Sequence, residues 1–262
     1  MSKSVSKAVI PAAGKGTRLF PLTKAVPKEL VPLGAKPVLE HILDETIECG
    51  IMDILLIITE EKNAIKKHFG SNYCGANIEY AYQEVQLGLA DAVRYSKDFV
   101  GDDNFLLLLG DSLIYSDHFS MPTKRLIETF TNTNADCVIL VQDTPFEEIH
   151  KYGMVKPISE LTQESFEICA LVEKPKPEEF PSKYSIAGRY IFTPFIFDMI
   201  NITPKGAGGE YQITDSISLL IENKKHVWCS ALRDDETRRD IGTFDIYFEA
   251  FEIEAKKYFL QK

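Results

Sequence analysis

The chain has 262 residues, 45% of them hydrophobic and 26% charged, with a formal net charge of −10, which describes a folded globular protein large enough to bury a core and argues against a disordered or nucleic-acid-coating chain. The longest apolar runs, such as residues 105–109, are far too short to span a bilayer, and the first seven residues are polar, unlike a secretory leader. Five scattered cysteines (Cys49, Cys74, Cys137, Cys169 and Cys229) form no C-x-x-C pair, so buried reduced thiols and a cytoplasmic location are expected.

In chain order, short apolar runs alternate with amphipathic stretches. Strands are expected at residues 8–10, 54–59, 78–82, 105–109 and 136–141. Helical spacing occupies residues 38–49, 60–69, 89–99 and 123–133 between them. The second half is more mixed, with strands at 153–157, 166–172, 186–192 and 227–232 and helices at 194–200, 211–223 and 243–258. Strand–helix alternation of this kind predicts an α/β fold with a mainly parallel sheet. With no linker, repeat or low-complexity tract, one domain over residues 1–262 is expected. Ligands of such sheets sit beyond the carboxyl ends of the strands, which draws attention to the loops 11–28, 83–88 and 110–112.

Charge is unevenly spread. Residues 1–37 carry Lys3, Lys7, Lys15, Arg18, Lys24, Lys28 and Lys36 against one acid, Glu29. A basic arm on an acidic protein suits a small polyanionic ligand held locally. That arm follows the first strand and reads Pro-Ala-Ala-Gly-Lys-Gly-Thr-Arg from Pro11 to Arg18. Gly14 and Gly16 let backbone N–H groups approach phosphate oxygens. It is not a dinucleotide fingerprint, because Leu19 stands at the third glycine position, nor a Walker loop, because Lys15 sits between the glycines. Pro21, Pro27 and Pro32 forbid a long helix after it, so the arm is expected to lie extended across the sheet edge, carrying Arg18, Lys24 and Lys28.

The pattern A-A-G-x-G-T-R-x-x-P-x-T-K-x-x-P-K-E-L-x-P-L over residues 12–33 resembles the signature of the sugar-1-phosphate nucleotidylyltransferases, and its Thr-Lys and Pro-Lys-Glu portions resemble most the uridylyl-transferring branch. Later motifs fall in the family's order over nearly the whole chain. The resemblance implies a Rossmann-like nucleotidyltransferase domain, mixed and mainly parallel in its sheet, with a nucleotide-binding amino-terminal half and a sugar-phosphate-binding carboxy-terminal half. It implies Mg²⁺-dependent attack of a hexose 1-phosphate on the α-phosphorus of UTP, or of dTTP, with pyrophosphate leaving. Such chemistry needs positioned cations more than a strong base.

Residue by residue, the resemblance makes Arg18 the grip on the triphosphate and Lys28 the cation beside the α-phosphate. Ala12, Ala13, Gly14, Gly16, Thr17, Gln83 and Gly88 become the nucleotide pocket, with Gln83 reading the base edge as donor and acceptor. Asp111, in Leu-Leu-Gly-Asp, and Asp240, in Asp-Ile-Gly-Thr, become the Mg²⁺ ligands, a pair that suits a hard cation shared with phosphates. Gly153, Glu173, Lys174, Ile186 and Glu210 become the sugar-phosphate side. Glycine before Asp111 and the Asp-Ile-Gly-Thr-Phe sequence depart from the uridylyl branch and leave base and sugar open. Two other classes compete: a silent sugar-nucleotide sensor, which would not need Arg18, Lys28, Asp111 and Asp240 together, and a glycosyltransferase, which would carry D-x-D after residues 105–109. Nucleic acid and membrane are not expected partners, whereas a homo-oligomer is compatible with the sequence.

Overall fold

The structure, a computed structural model, describes residues 4–158, 164–176, 178 and 182–260. Its first half runs β1 (Val5–Pro11), α1 (Leu22–Ala25), β2 (Pro32–Leu33), β3 (Lys36–Pro37), α2 (Val38–Glu48), β4 (Asp53–Ile58), α3 (Asn63–Phe69), β5 (Asn72–Tyr73), β6 (Ala76–Tyr82), α4 (Leu89–Arg94), α5 (Lys97–Val100), β7 (Asn104–Leu108), β8 (Ser112–Tyr115) and α6 (Met121–Asn132). The second runs β9 (Cys137–Asp143), β10 (Gly153–Pro157), β11 (Ser165–Glu173), β12 (Tyr184–Phe192), α7 (Ile196–Ile202), α8 (Ile213–Glu222), β13 (Val227–Ala231), β14 (Thr237–Asp240) and α9 (Phe244–Leu260).

Ten strands form one sheet in the order β10-β11-β13-β9-β12-β7-β1-β4-β6-β5. It is mixed. The β7-β1-β4-β6 block is parallel, as βαβ crossovers require. On the other side β12 runs antiparallel to both β7 and β9, and β9–β13 is again a parallel pair. Strands from both halves of the chain therefore share one hydrogen-bonded ladder, with Leu107 opposite Tyr190 at the join.

Alternation along the central strands explains the two layers of helices. Ala8, Ile10, Ile54, Leu56 and Ile58 face one cluster, which α2, α3 and α6 complete with residues such as Leu39, Ile42, Ile65, Leu126 and Phe130. Val9, Leu55 and Ile57 face the other, packed by Val93 of α4, Ile200 of α7 and Ile217 and Leu220 of α8. Successive side chains of a strand point to opposite faces, so continuous apolar runs mean a sheet covered on both.

Three departures from the sequence expectation have local causes. The basic arm is not extended. It coils into single turns at Thr17–Leu19, Leu22–Ala25 and Lys28–Leu30. The prolines that forbid a long helix tolerate short turns, because Pro fits a first helical turn or the residue before it. The helix expected at 89–99 breaks after Arg94, where Ser96 Oγ bonds back to the Val93 carbonyl at 2.7 Å, a side-chain bond that competes with continued helix. Only Cys137 and Cys229 are buried, whereas Cys74 and Cys169 are exposed. Cys74 sits at positive φ in the turn between β5 and β6, and Cys169 is on the outward face of β11. Among the described residues no helix is long and apolar enough to cross a membrane.

Candidate active site

The loops after β1, β6 and β7 leave the same edge of the sheet, because those strands are parallel. There the Ala12 N–H donates to the Ile57 carbonyl at 2.7 Å, and the Gly110 N–H reaches the Pro11 carbonyl at 3.3 Å. A Cβ on Gly110 would stand 2.8 Å from that carbonyl oxygen, so glycine is what lets the acid-bearing loop lie against the first one.

Two cavities open on this edge. One, of about 520 Å³, is walled by Pro11, Ala13, Gly14, Lys15, Gly16, Thr17, Lys28, Gln86, Gly88, Asp111 and Glu210. The other, of about 1090 Å³, is walled by Tyr152, Gly153, Glu173, Lys174, Ile186, Tyr190, Arg238 and Asp240. Arg18 belongs to both walls, and a Cβ on Gly242 would strike its guanidinium. Arg18 therefore stands where the two spaces meet, next to the segment that carries Asp240.

Charge concentrates at that junction. The Lys28 ammonium contacts Asp111 Oδ2. Burial alone would lower the lysine pKa, but the Asp111, Glu29 and Asp240 carboxylates outweigh it and hold Lys28 protonated above its ordinary range. Burial works against the Asp111 carboxylate too, yet Lys28, then Arg238 and Arg18, keep its pKa below the usual value. Asp240 goes the other way: burial and the like charge of Asp111 push it up, and Arg238, Arg18 and Lys28 do not fully compensate. Asp111 and Asp240 are neighbours because β8 and β14 pair, with Ser112 opposite Asp240 and the Ile241 N–H donating to the Asp111 carbonyl at 2.8 Å. Two carboxylates that repel each other, one incompletely neutralised, suit a hard divalent cation whose other ligands are phosphates and water. Among the described residues no group of three or more His, Cys, Asp or Glu could hold a metal, so such an ion would depend on substrate oxygens.

Several contributors were not legible in the sequence. Arg238, its side chain 8% exposed, donates from Nε to Ser112 Oγ at 2.9 Å, lies 3.4 Å from Asp240 and covers the Tyr152 ring. Its only sequence signal is the i, i+2 spacing from Asp240, which puts both on one face of a strand. Beneath the glycine arm, Lys62 Nζ donates to both oxygens of buried Glu29 at 2.8 Å, to the Ala12 carbonyl at 2.8 Å and to the Gly14 carbonyl at 2.5 Å. Burial pushes Glu29 up and Lys62 down, each against the pull of the other. This clamp ties the turn carrying Lys28 to the loop carrying Gly14.

The sequence-expected residues are distributed as follows. Ala13, Gly14, Gly16, Thr17, Arg18, Lys28, Gly88 and Asp111 share the smaller cavity, and Ala12 is buried just behind it. Gly88 has φ +118°, and a Cβ there would lie 2.5 Å from the Tyr211 carbonyl oxygen, so this turn requires glycine. Gln83 is buried, with Nε2 donating to Asp91 Oδ2 at 2.8 Å, while Gln86 stands on the wall and donates to the Ala13 carbonyl at 3.0 Å. Gly153, Glu173, Lys174, Ile186 and Asp240 share the larger cavity, where Glu173 and Lys174 lie 3.4 Å apart. Glu210 lies on the smaller cavity instead. Lys24 leaves the site and sits 5.4 Å over the Phe20 ring.

A parallel-sheet edge with a glycine arm, two neighbouring aspartates and cations between two cavities is the arrangement of a nucleotidyl-transferring protein. The chain belongs to the nucleotidyl transferase family, whose model matches residues 7–257. It is similar to UTP–glucose-1-phosphate uridylyltransferase 2 of Staphylococcus saprophyticus, 38% identical over 83% of this chain and 82% of that protein. It is 34% identical to the UTP–glucose-1-phosphate uridylyltransferase of Mycoplasma genitalium over 95% of this chain and 91% of the relative. Among solved structures, a UDP-glucose pyrophosphorylase complexed with UDP-glucose superposes with TM-score 0.89 at 29% identity, covering 97% of this chain and all of that one. A UTP-bound UGPase from Acinetobacter baumannii gives 0.88 at 27% identity over 98% of both chains.

Proposed function

We propose that this protein makes UDP-glucose and pyrophosphate from UTP and glucose 1-phosphate. The observation that carries the reading is the junction itself: Arg18 on the wall of both cavities, with the Lys28–Asp111 pair and Asp240 beside it. Identity of 34% and 38% to named uridylyltransferases supports the choice of substrates.

UTP occupies the smaller cavity, its triphosphate along the Gly14–Gly16 backbone and its base toward Gly88 and Gln83. Glucose 1-phosphate occupies the larger, its hydroxyls near Glu173 and the Gly153 backbone and its phosphate near Lys174. An oxygen of the sugar phosphate forms a new bond to the α-phosphorus, and the bond from that phosphorus to the bridging oxygen breaks. Pyrophosphate leaves with the electron pair. The nucleophile is already an anion, so no proton need be removed, and the barrier is repulsion between two polyanions. Lys28, held protonated, offsets the charge on the α-phosphate, and Arg18 offsets that on the departing pyrophosphate. Asp111 and Asp240 would hold Mg²⁺, which would supply further charge compensation to the phosphates.

The test is a pyrophosphate-release panel crossing UTP, dTTP, CTP, ATP and GTP with several hexose 1-phosphates, with and without Mg²⁺. The expected result is release that is fastest with UTP and glucose 1-phosphate and depends on Mg²⁺. Nucleotide binding without release under any combination would assign a sensor instead.

A further inference from the structure

A glutamine carboxamide is an ambiguous reader. Turned one way it offers its oxygen to the N3–H of uracil. Turned by 180° it offers its NH₂ to the N3 lone pair of cytosine. Something must decide which way Gln83 faces. Its NH₂ is committed at 2.8 Å to Asp91 Oδ2, and the other carboxylate oxygen of Asp91 lies 3.5 Å from an Arg94 guanidinium nitrogen. Asp91 is buried on α4, the helix that directly follows Gly88 on the cavity wall. A carboxylate is an acceptor only, so the opposite orientation of Gln83 would bring oxygen against oxygen in a buried place.

We infer that Asp91 is a specificity-positioning residue: by accepting from the NH₂ of Gln83 it fixes the orientation of the carboxamide, so that the carbonyl end rather than the NH₂ end is turned away from Asp91 toward the base, and so favours a pyrimidine carrying an N3–H over cytosine. This rests on the proposed seating of the uridine base at Gln83. Gln86 is oriented by the same rule, since its NH₂ donates to the Ala13 carbonyl, another pure acceptor. Both amides therefore turn their NH₂ ends toward a protein acceptor.

Asp91→Asn is the decisive variant, because asparagine keeps the shape and presents either an oxygen or an NH₂ to Gln83. Affinities for UTP and CTP are measured by titration without sugar phosphate, with thermal stability followed in parallel. UTP affinity is expected to stay within about threefold, while CTP gains and the UTP-over-CTP ratio falls by about tenfold or more, the scale of one buried polar mismatch. A merely structural role would weaken both nucleotides together and leave the ratio unchanged, and that result overturns the inference. Gln83→Leu should also erase the preference, with UTP now weakened. Wild-type protein binding CTP as tightly as UTP would overturn the inference without any variant. The pyrophosphate-release panel on the wild-type protein tests the transfer reaction separately, so the two readings fail independently.

Discussion

Replacing Lys28 by alanine removes the cation nearest Asp111 and, in the proposed reaction, the one beside the α-phosphate. The expected result is a loss in kcat of about 100- to 1000-fold, the range for a lost transition-state donor, measured by steady-state pyrophosphate release. Asp240 is a different case, because its carboxyl pKa is raised by burial and by Asp111. A group whose folded pKa lies above its unfolded value destabilises the fold when ionised and ceases to do so once protonated. Asp240→Asn is therefore expected to raise the Tm of the metal-free protein at pH 7. The gain should shrink as pH falls through the raised pKa and vanish below the ordinary value of 3.8. The same variant should lose Mg²⁺-dependent turnover, the usual cost of relieving a strained functional charge. A Tm at pH 7 below that of the wild type would contradict the charge assignment.

At the scale of elements, the site hangs on ion pairs that cross the fold. Arg189 of β12 is fully buried and makes a two-pronged pair with Glu45 of α2 at 2.9 and 2.7 Å, while Nη2 also reaches the Ser112 carbonyl at 2.8 Å. Glu45 further accepts from Thr123 of α6 at 2.5 Å. One arginine thus joins a helix, a strand of the second half and the start of β8, one residue after Asp111. Glu45→Ala strands that guanidinium without its counter-charge. Breaking one side of a buried pair costs about 3–5 kcal/mol, which a lowered urea midpoint would report. Lys36→Ala, which removes the half-exposed pair with Asp44, should cost no more than about 1 kcal/mol. Equal effects of the two substitutions would refute this contrast. The regular elements near these pairs were legible in sequence from periodicity alone. The two-stranded ribbon of β8 and β14 was not, because Ser112–Tyr115 and Thr237–Asp240 are four-residue strands lying far apart in the chain.

For the whole molecule, the shared ladder between β7 and β12 makes the two halves of the chain one hydrogen-bonded body. Unfolding is therefore expected as a single cooperative event. The sole tryptophan, Trp228, lies on β13 in the second half, whereas the parallel β1-β4-β6 block lies in the first. Thermal unfolding followed by Trp228 fluorescence should coincide with the far-ultraviolet circular dichroism transition. Two separated transitions would mean that the halves fold independently.

The layered α/β plan, the glycine-rich turn after the first strand and the placing of Asp111 after a buried strand could be read from the amino-acid sequence alone. Each of these follows from geometry within a single segment, where spacing of two or of three to four residues fixes which side chains share a face. The tertiary structure decided that Lys28 meets Asp111 across 83 positions and that Arg238 meets Ser112 across 126. The same long-range packing makes Lys62 clamp the arm, puts Glu210 on the smaller cavity and points the Gln83 NH₂ at Asp91. Such contacts depend on how strands cross and pair over long separations, and on which buried polar group finds a partner, and neither is written in local periodicity.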